Sequence, residues 1–144
     1  MMAVKPVPEG FHTVTPYLVC DDVPRVIDFV KKAFDAVELE RSVDPKGRVM
    51  HAQVRIGDSI VMMGGSMETF PAAPAQLYLY VPDTDVLYKK AMAAGGVSIM
   101  EPTNHFYGDR SGGVQDPAGN KWWIATHIED VSPEEMKRRI RERM

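Results

Sequence analysis

One predicted strand carries polar side chains that alternate with apolar ones. Between Val49 and Ile56 the alternate residues are His51, Gln53 and Arg55. Alternate residues of a strand share one face, so these three side chains are expected to lie together. A histidine titrates near neutral pH, which makes His51 the best candidate for acid–base chemistry, although such a histidine more often only bonds a neighbour. Arg55 could instead meet an anionic group of a ligand.

A hairpin near the C-terminus is the strongest local pattern. The turn at 116–120, Asp-Pro-Ala-Gly-Asn, joins strands predicted at 110–115 and 121–127, and its proline and glycine suit a tight turn. The second strand has a large ring on each face, which is typical of a strand covered on both sides. We predict that Trp122 belongs to the core and that Trp123, on the opposite face, lines a pocket.

Other residues near this hairpin have plainer interpretations. Arg110 follows Asp109 directly and is interpreted as its partner in a structural ion pair. Alternation in the strand that begins at Gln76 places Tyr78 and Tyr80 on the same face as Gln76. This pattern is equally compatible with a structural role and with a ligand-facing role for the two tyrosines.

Composition and short motifs exclude several classes of function. A net charge of −3 and a pI near 5.8 argue against a nucleic-acid surface. No apolar run approaches the ~20 residues of a membrane span, and the N-terminus lacks the apolar region of a secretory signal. Cys20 is the single cysteine, which favours a reducing cytoplasm. The sequence has no nucleophilic triad, phosphate-binding loop or dinucleotide fingerprint.

The order of predicted elements repeats. A strand, a helix and three strands are followed by a segment rich in glycine, proline and alanine, and then the same order returns. After the second set, Ser132-Pro133-Glu134-Glu135 has the form of a capping box that starts a C-terminal helix. We predict an α+β fold of two tandem βαβββ modules. The predicted elements are strands at 14–20, 37–43, 49–56, 59–63, 76–81, 97–100, 110–115 and 121–127, and a helix at 24–34 with a second before Gly95.

Three segments of the chain resemble the glyoxalase, bleomycin-resistance and extradiol dioxygenase superfamily, also called vicinal oxygen chelate proteins. They are PYLVCDDVPRVIDFVKKAF, VPDTDVLYKKAMAAGG and YGDRSGGVQDPAGNKWWI, of which the last is the most specific. The resemblance implies a mixed sheet that curls around a cleft, and commonly a dimer. It places a single domain at 12–128, with modules at 12–65 and 75–128, a linker at 66–74 and a C-terminal helix at 131–144.

The resemblance also implies four positions for the ligands of a divalent metal. By motif these positions hold Thr15, Met62, Gln76 and Trp123. Such a metal needs oxygen or imidazole ligands, and Gln76 alone would serve well. We therefore predict no metal and no cofactor at this site.

The function predicted from these observations is metal-free, cytoplasmic binding of a small, partly aromatic or cationic molecule by a homodimer. One alternative is a lyase, isomerase or dioxygenase with a displaced metal held by His51 and Gln76. Another alternative is a metal-independent enzyme that uses His51 and a tyrosine. No nucleic-acid or membrane partner is expected. The predicted ligand-binding residues are Tyr17, His51, Arg55, Met62, Gln76, Tyr78 and Trp123.

Overall fold

Residues 4–144, the part of the chain that the computed structural model describes, contain eight strands in two sheets of four. A strand, a helix and three strands occur twice and are followed by a terminal helix. The two predicted βαβββ modules and the α+β class are thereby confirmed. The elements are β1 (Tyr17–Cys20), α1 (Val23–Phe34), β2 (Val37–Val43), β3 (Val49–Ile56), β4 (Ser59–Gly65), β5 (Gln76–Tyr80), α2 (Thr84–Ala93), β6 (Val97–Asn104), β7 (Asp109–Gln115), β8 (Lys121–His127) and α3 (Pro133–Glu142).

The two sheets have the same topology. Their strand orders are β1-β4-β3-β2 and β5-β8-β7-β6. In each sheet the first strand pairs in parallel with the last strand of its module, and the other pairs are antiparallel. β1 and β5 are therefore edge strands, and neither bonds the other. The amide of Ala73, just before β5, donates to the carbonyl of Val19 at 3.3 Å and links the end of β1 to the second module.

Helix α1 anchors the core of the first module. Asp22 is its N-cap and accepts a hydrogen bond from the Arg25 amide at 3.3 Å, as acidic N-caps do. The helix ends at Asp35, whose φ of 54° lies in the left-handed region. Its apolar face, which includes Ile27 and Val30, is fully buried.

One buried apolar cluster joins the two modules. The Phe34 ring at the end of α1 lies 5.2 Å, centroid to centroid, from the Trp122 ring of β8. Trp122 has no exposed surface, which confirms its predicted core position. Helix α2 is less well covered: Ala91 is buried, whereas Val86 is 51% exposed.

The strand boundaries differ most from the sequence prediction in β1, β4 and β6. β1 begins at Tyr17, where its parallel pairing with β4 starts, rather than at residue 14. β4 continues to Gly65, and β6 continues past Met100 to Asn104. β6 tolerates Pro102 because it is an edge strand with an irregular register between Met100 and Thr103, where a missing amide proton breaks no regular ladder.

The terminal helix α3 starts as its capping box predicts. The Ser132 hydroxyl accepts a hydrogen bond from the Glu135 amide at 3.2 Å, and Pro133 is the first helical residue. Arg139 donates to the carbonyl of Phe106, so the helix packs beside the start of the C-terminal hairpin. Among the described residues, no helix combines the length and apolarity that crossing a bilayer demands.

Candidate functional site

The outer face of the first sheet, turned away from α1, gathers three of the predicted site residues. Strand pairing places Tyr17 beside Met62, and Met62 beside Gln53. The Tyr17 ring lies directly over Gly64 of β4, because a Cβ there would come within 2.4 Å of the Tyr17 hydroxyl. His51, opposite Gly64, completes the group, and its ring centroid is 5.8 Å from that of Tyr17.

The imidazole of His51 is held only loosely. Its Nδ1 is 3.5 Å from the Tyr17 hydroxyl, and its Nε2 is 3.5 Å from the Gln53 amide nitrogen. Both distances exceed the usual range for strong hydrogen bonds. Arg55 lies on the same face but is exposed at the end of β3, and its side chain makes no hydrogen bond or ion pair among the described residues. Met62 instead borders a small pocket of about 450 Å³ that Thr15 and the arm at 6–13 help to line.

The outer face of the second sheet carries the Trp123 indole. The Trp123 ring covers Gly113 of β7, where an added Cβ would come within 2.4 Å of it. Its Nε1 donates to the Gln76 side-chain oxygen at 3.0 Å, so the ring is fixed in orientation. Tyr78 is the strand partner of Trp123 on β5. The structure therefore brings Gln76, Tyr78 and Trp123 together, with the half-buried indole on the face opposite Trp122.

A polar cluster at the other end of this face was missed from the sequence. Buried Asp109 accepts hydrogen bonds from the Tyr78 hydroxyl at 2.7 Å, the Tyr80 hydroxyl at 2.9 Å and His127 Nδ1 at 2.9 Å. His127 Nε2 lies 2.7 Å from an oxygen of exposed Asp130. Carboxylates only accept, so both imidazole nitrogens must carry a proton for both bonds to form. We call these five residues the Asp109 cluster.

The prediction of an ion pair between Asp109 and Arg110 is wrong. Neighbouring residues of a strand point to opposite faces, so Arg110 lies on the helix side and binds Asp85 of α2 through two hydrogen bonds of 2.8 Å. The hairpin is the sequence signal that could have located a true partner of Asp109. Its turn fixes a register in which Asp109 stands opposite His127.

The protonation of the Asp109 cluster follows from its contacts. Burial alone raises the pKa of Asp109, but hydrogen bonds from His127 and the two tyrosines outweigh burial and hold this pKa below its ordinary value. Burial and the hydrogen bond to Asp109 raise the pKa of Tyr78. The hydrogen bond that Tyr80 donates to Asp109 raises the pKa of Tyr80. Hydrogen bonds to Asp109 and Asp130 raise the pKa of His127. At neutral pH the cluster thus holds a carboxylate and two intact phenols.

A larger groove lies between the edge strands β1 and β5. It has a volume of about 960 Å³ and a mostly apolar lining from both modules, including Phe34, Leu77 and Val86. Tyr17, Gln76 and Tyr78 also border this groove, whereas the other predicted site residues do not. Among the described residues, no hydrogen bond joins the predicted site residues of the first sheet to those of the second sheet.

Comparison with known proteins agrees with this geometry. A sequence profile of the Glyoxalase/Bleomycin resistance protein/Dioxygenase superfamily matches residues 10–124. The chain belongs to this superfamily. The uncharacterized protein Mb0911c of Mycobacterium bovis is 34% identical over 135 residues, covering 86% of this chain and 89% of that protein. The uncharacterized protein Rv0887c of Mycobacterium tuberculosis is also 34% identical, covering 86% of this chain and 79% of its own length.

Solved structures of the superfamily's fold align over most of this chain. TioX from Micromonospora sp. ML1 aligns with a TM-score of 0.71 and 24% identity, covering 81% of this chain and 99% of TioX. A glyoxalase/bleomycin resistance protein/dioxygenase from Nocardioides aligns with a TM-score of 0.64 and 16% identity, covering 92% of this chain and 90% of that protein's chain. At these identities the likeness extends to the fold alone.

The superfamily's metal positions do not fit a metal ion in this chain. Met62 offers a thioether and Trp123 an indole, neither of which ligates a hard divalent cation. The side-chain oxygen of Gln76 already accepts a hydrogen bond from Trp123 Nε1. Within residues 4–144, no three side chains of histidine, cysteine, aspartate or glutamate converge on one point as a metal site requires.

Proposed function

We propose that this superfamily member binds a small, planar or cationic molecule without a metal and sequesters it as a drug or metabolite. The observation that carries the proposal is the Trp123 indole. It lies over Gly113, is fixed through its Nε1, and occupies a position that the resemblance assigns to a metal ligand. A half-buried ring that is fixed in orientation is suited to stacking on a planar or cationic ligand.

The enzyme alternatives have weaker support. A displaced metal would need His51 and Gln76 to converge, yet they belong to different sheets and the Gln76 oxygen is already engaged. Metal-independent chemistry would need an oriented base, and the 3.5 Å separation between His51 Nδ1 and the Tyr17 hydroxyl orients it poorly. Turnover of any bound compound that is lost in His51→Ala would favour an enzyme over the binding protein proposed here.

Trp123→Ala is expected to weaken the binding of planar aromatic compounds by about two- to tenfold, because one stacked contact contributes roughly 0.5–1.5 kcal/mol beyond burial. Fluorescence titration against a panel of planar neutral and cationic dyes measures the effect. Trp123→Phe retains a flat ring and should keep most of the affinity.

Phe70→Ala is the matched control for this titration, because it removes a 65% exposed aromatic ring from the linker. It should leave the affinity unchanged. Equal binding by wild type and Trp123→Ala would contradict the stacking role.

The proposal includes a homodimer, which membership of this superfamily implies. Light scattering is expected to give about twice the chain mass of 16.1 kDa. A monomer mass at high concentration would count against it.

A cytoplasmic location is part of the proposal. Cys20 is buried, and burial raises the pKa of its thiol to about 11, so it is not a reactive or disulfide-forming group. Cell fractionation with an antibody to the chain would test the location, and recovery outside the cytoplasm would overturn it.

A further inference from the structure

Two tyrosines of β5 form an exposed aromatic corner on the outer face of the second sheet. Tyr78 and Tyr80 are 44% and 65% exposed. Their ring centroids are 5.3 Å apart and their planes meet at 60°. Both hydroxyls donate to the same oxygen of Asp109, at 2.7 and 2.9 Å, so the phenols are fixed while much of their ring surface is left to solvent.

The charge behind this corner is negative and inaccessible. Asp109 is only 4% exposed, so a ligand cannot reach the carboxylate and meets the tyrosine rings instead. Protonated His127 offsets one negative charge, but Asp130 beyond it supplies another. The nearest guanidinium on β7, that of Arg110, bonds to Asp85 of α2 and does not join the cluster.

We propose that the Tyr78–Tyr80 corner binds an N-methylated ammonium group, which makes the ligand of the proposed function a cation at one end. The electron-rich faces of aromatic rings attract such cations, and quaternary ammonium groups are the usual ligands of aromatic cages. Each phenol hydroxyl donates a charge-assisted hydrogen bond to the Asp109 carboxylate, and this bond leaves its ring more electron-rich. This inference rests on the proposed function and adds the chemical class of one end of its ligand.

A primary ammonium or a neutral group fits the corner less well. A primary ammonium must replace its bound water with acceptors, and the acceptor here is buried and already takes three hydrogen bonds. A neutral alkyl group would gain contact area but no attraction to the ring faces or to the negative charge behind them. An anion would meet Asp109 and Asp130 and be repelled.

The experiment titrates isotope-labelled protein with choline and with 3,3-dimethylbutan-1-ol, a neutral compound of the same shape, at constant ionic strength. Backbone amide shifts of Tyr78, Tyr80 and Asp109 report binding. Choline is expected to bind at least about tenfold more tightly than the neutral compound, and ethanolamine should resemble the neutral compound.

Two variants locate the effect. Tyr80→Leu removes the more exposed ring of the corner and should weaken choline binding by about tenfold. Phe70→Leu removes a 65% exposed ring of the linker, outside the candidate site, and should leave choline binding unchanged. Equal affinity for the neutral compound, or equal loss in both variants, would overturn the inference.

The outcome separates this inference from the function on which it rests. Planar compounds that bind at Trp123 while choline does not bind would refute the ammonium site alone. If neither planar compounds nor choline bind, the proposed binding function fails together with this inference.

Discussion

Trp122→Ala is expected to lower the free energy of unfolding by about 3–5 kcal/mol, the usual cost of a large-to-small change in a close-packed core. The indole has no exposed surface and contacts the Phe34 ring of α1, so its loss opens a cavity where the two modules meet. It also removes the hydrogen bond of 2.8 Å from Trp122 Nε1 to Asp116. Urea denaturation followed by circular dichroism measures the change.

The adjacent tryptophan is the control for this prediction. Trp123 lies on the outer face, half buried, and Trp123→Ala should cost the fold much less than Trp122→Ala. Trp122→Phe keeps part of the ring and should fall between wild type and Trp122→Ala. If Trp123→Ala unfolded the protein while Trp122→Ala had no effect, both the facing of β8 and the binding role of Trp123 would be refuted.

Asp109→Ala is expected to lower the free energy of unfolding by about 2–4 kcal/mol. The carboxylate is buried and accepts three hydrogen bonds, and each buried donor left without a partner costs roughly 1–3 kcal/mol. The sum is smaller than three full penalties because the tyrosines and His127 are partly exposed and can turn toward water. Chemical denaturation measures the change.

Asp85→Ala is the matched control, because it removes the other carboxylate that was a possible partner for this end of β7. Asp85 is partly exposed and pairs with Arg110 near the surface, where an ion pair contributes little to stability. A larger effect for Asp85→Ala than for Asp109→Ala would contradict the assigned roles.

The pH dependence of stability provides a second readout of the same variant. Folding raises the pKa of His127, so its contribution is complete below the unfolded value of about 6.5 and is lost as the pH rises through the raised value. In Asp109→Ala the first cause of the raised pKa is gone, and stability should fall less steeply over this window. An unchanged pKa of His127 in an NMR titration of the variant would refute the link.

Alternation and turn chemistry determined much of the fold from the sequence alone. The turn at 116–120 fixes the register of β7 and β8, and the register fixes which tryptophan faces the core. These signals are local: a strand alternates every two residues, and proline and glycine restrict the backbone wherever they occur. The superfamily resemblance, rather than local pattern, predicted that Gln76 and Trp123 share a site, and in the structure Trp123 Nε1 donates a hydrogen bond to Gln76.

Long-range packing decided the contacts that give the candidate site its chemistry. Asp109 and Arg110 are neighbours in sequence, yet Asp109 binds tyrosines of β5 and Arg110 binds Asp85 of α2. Likewise, Gly113 gives no sign in the sequence that an indole lies across it. Local pattern specifies the face on which a side chain lies, whereas its partner depends on how strands and helices far apart in the chain pack, and only the tertiary structure determines that packing.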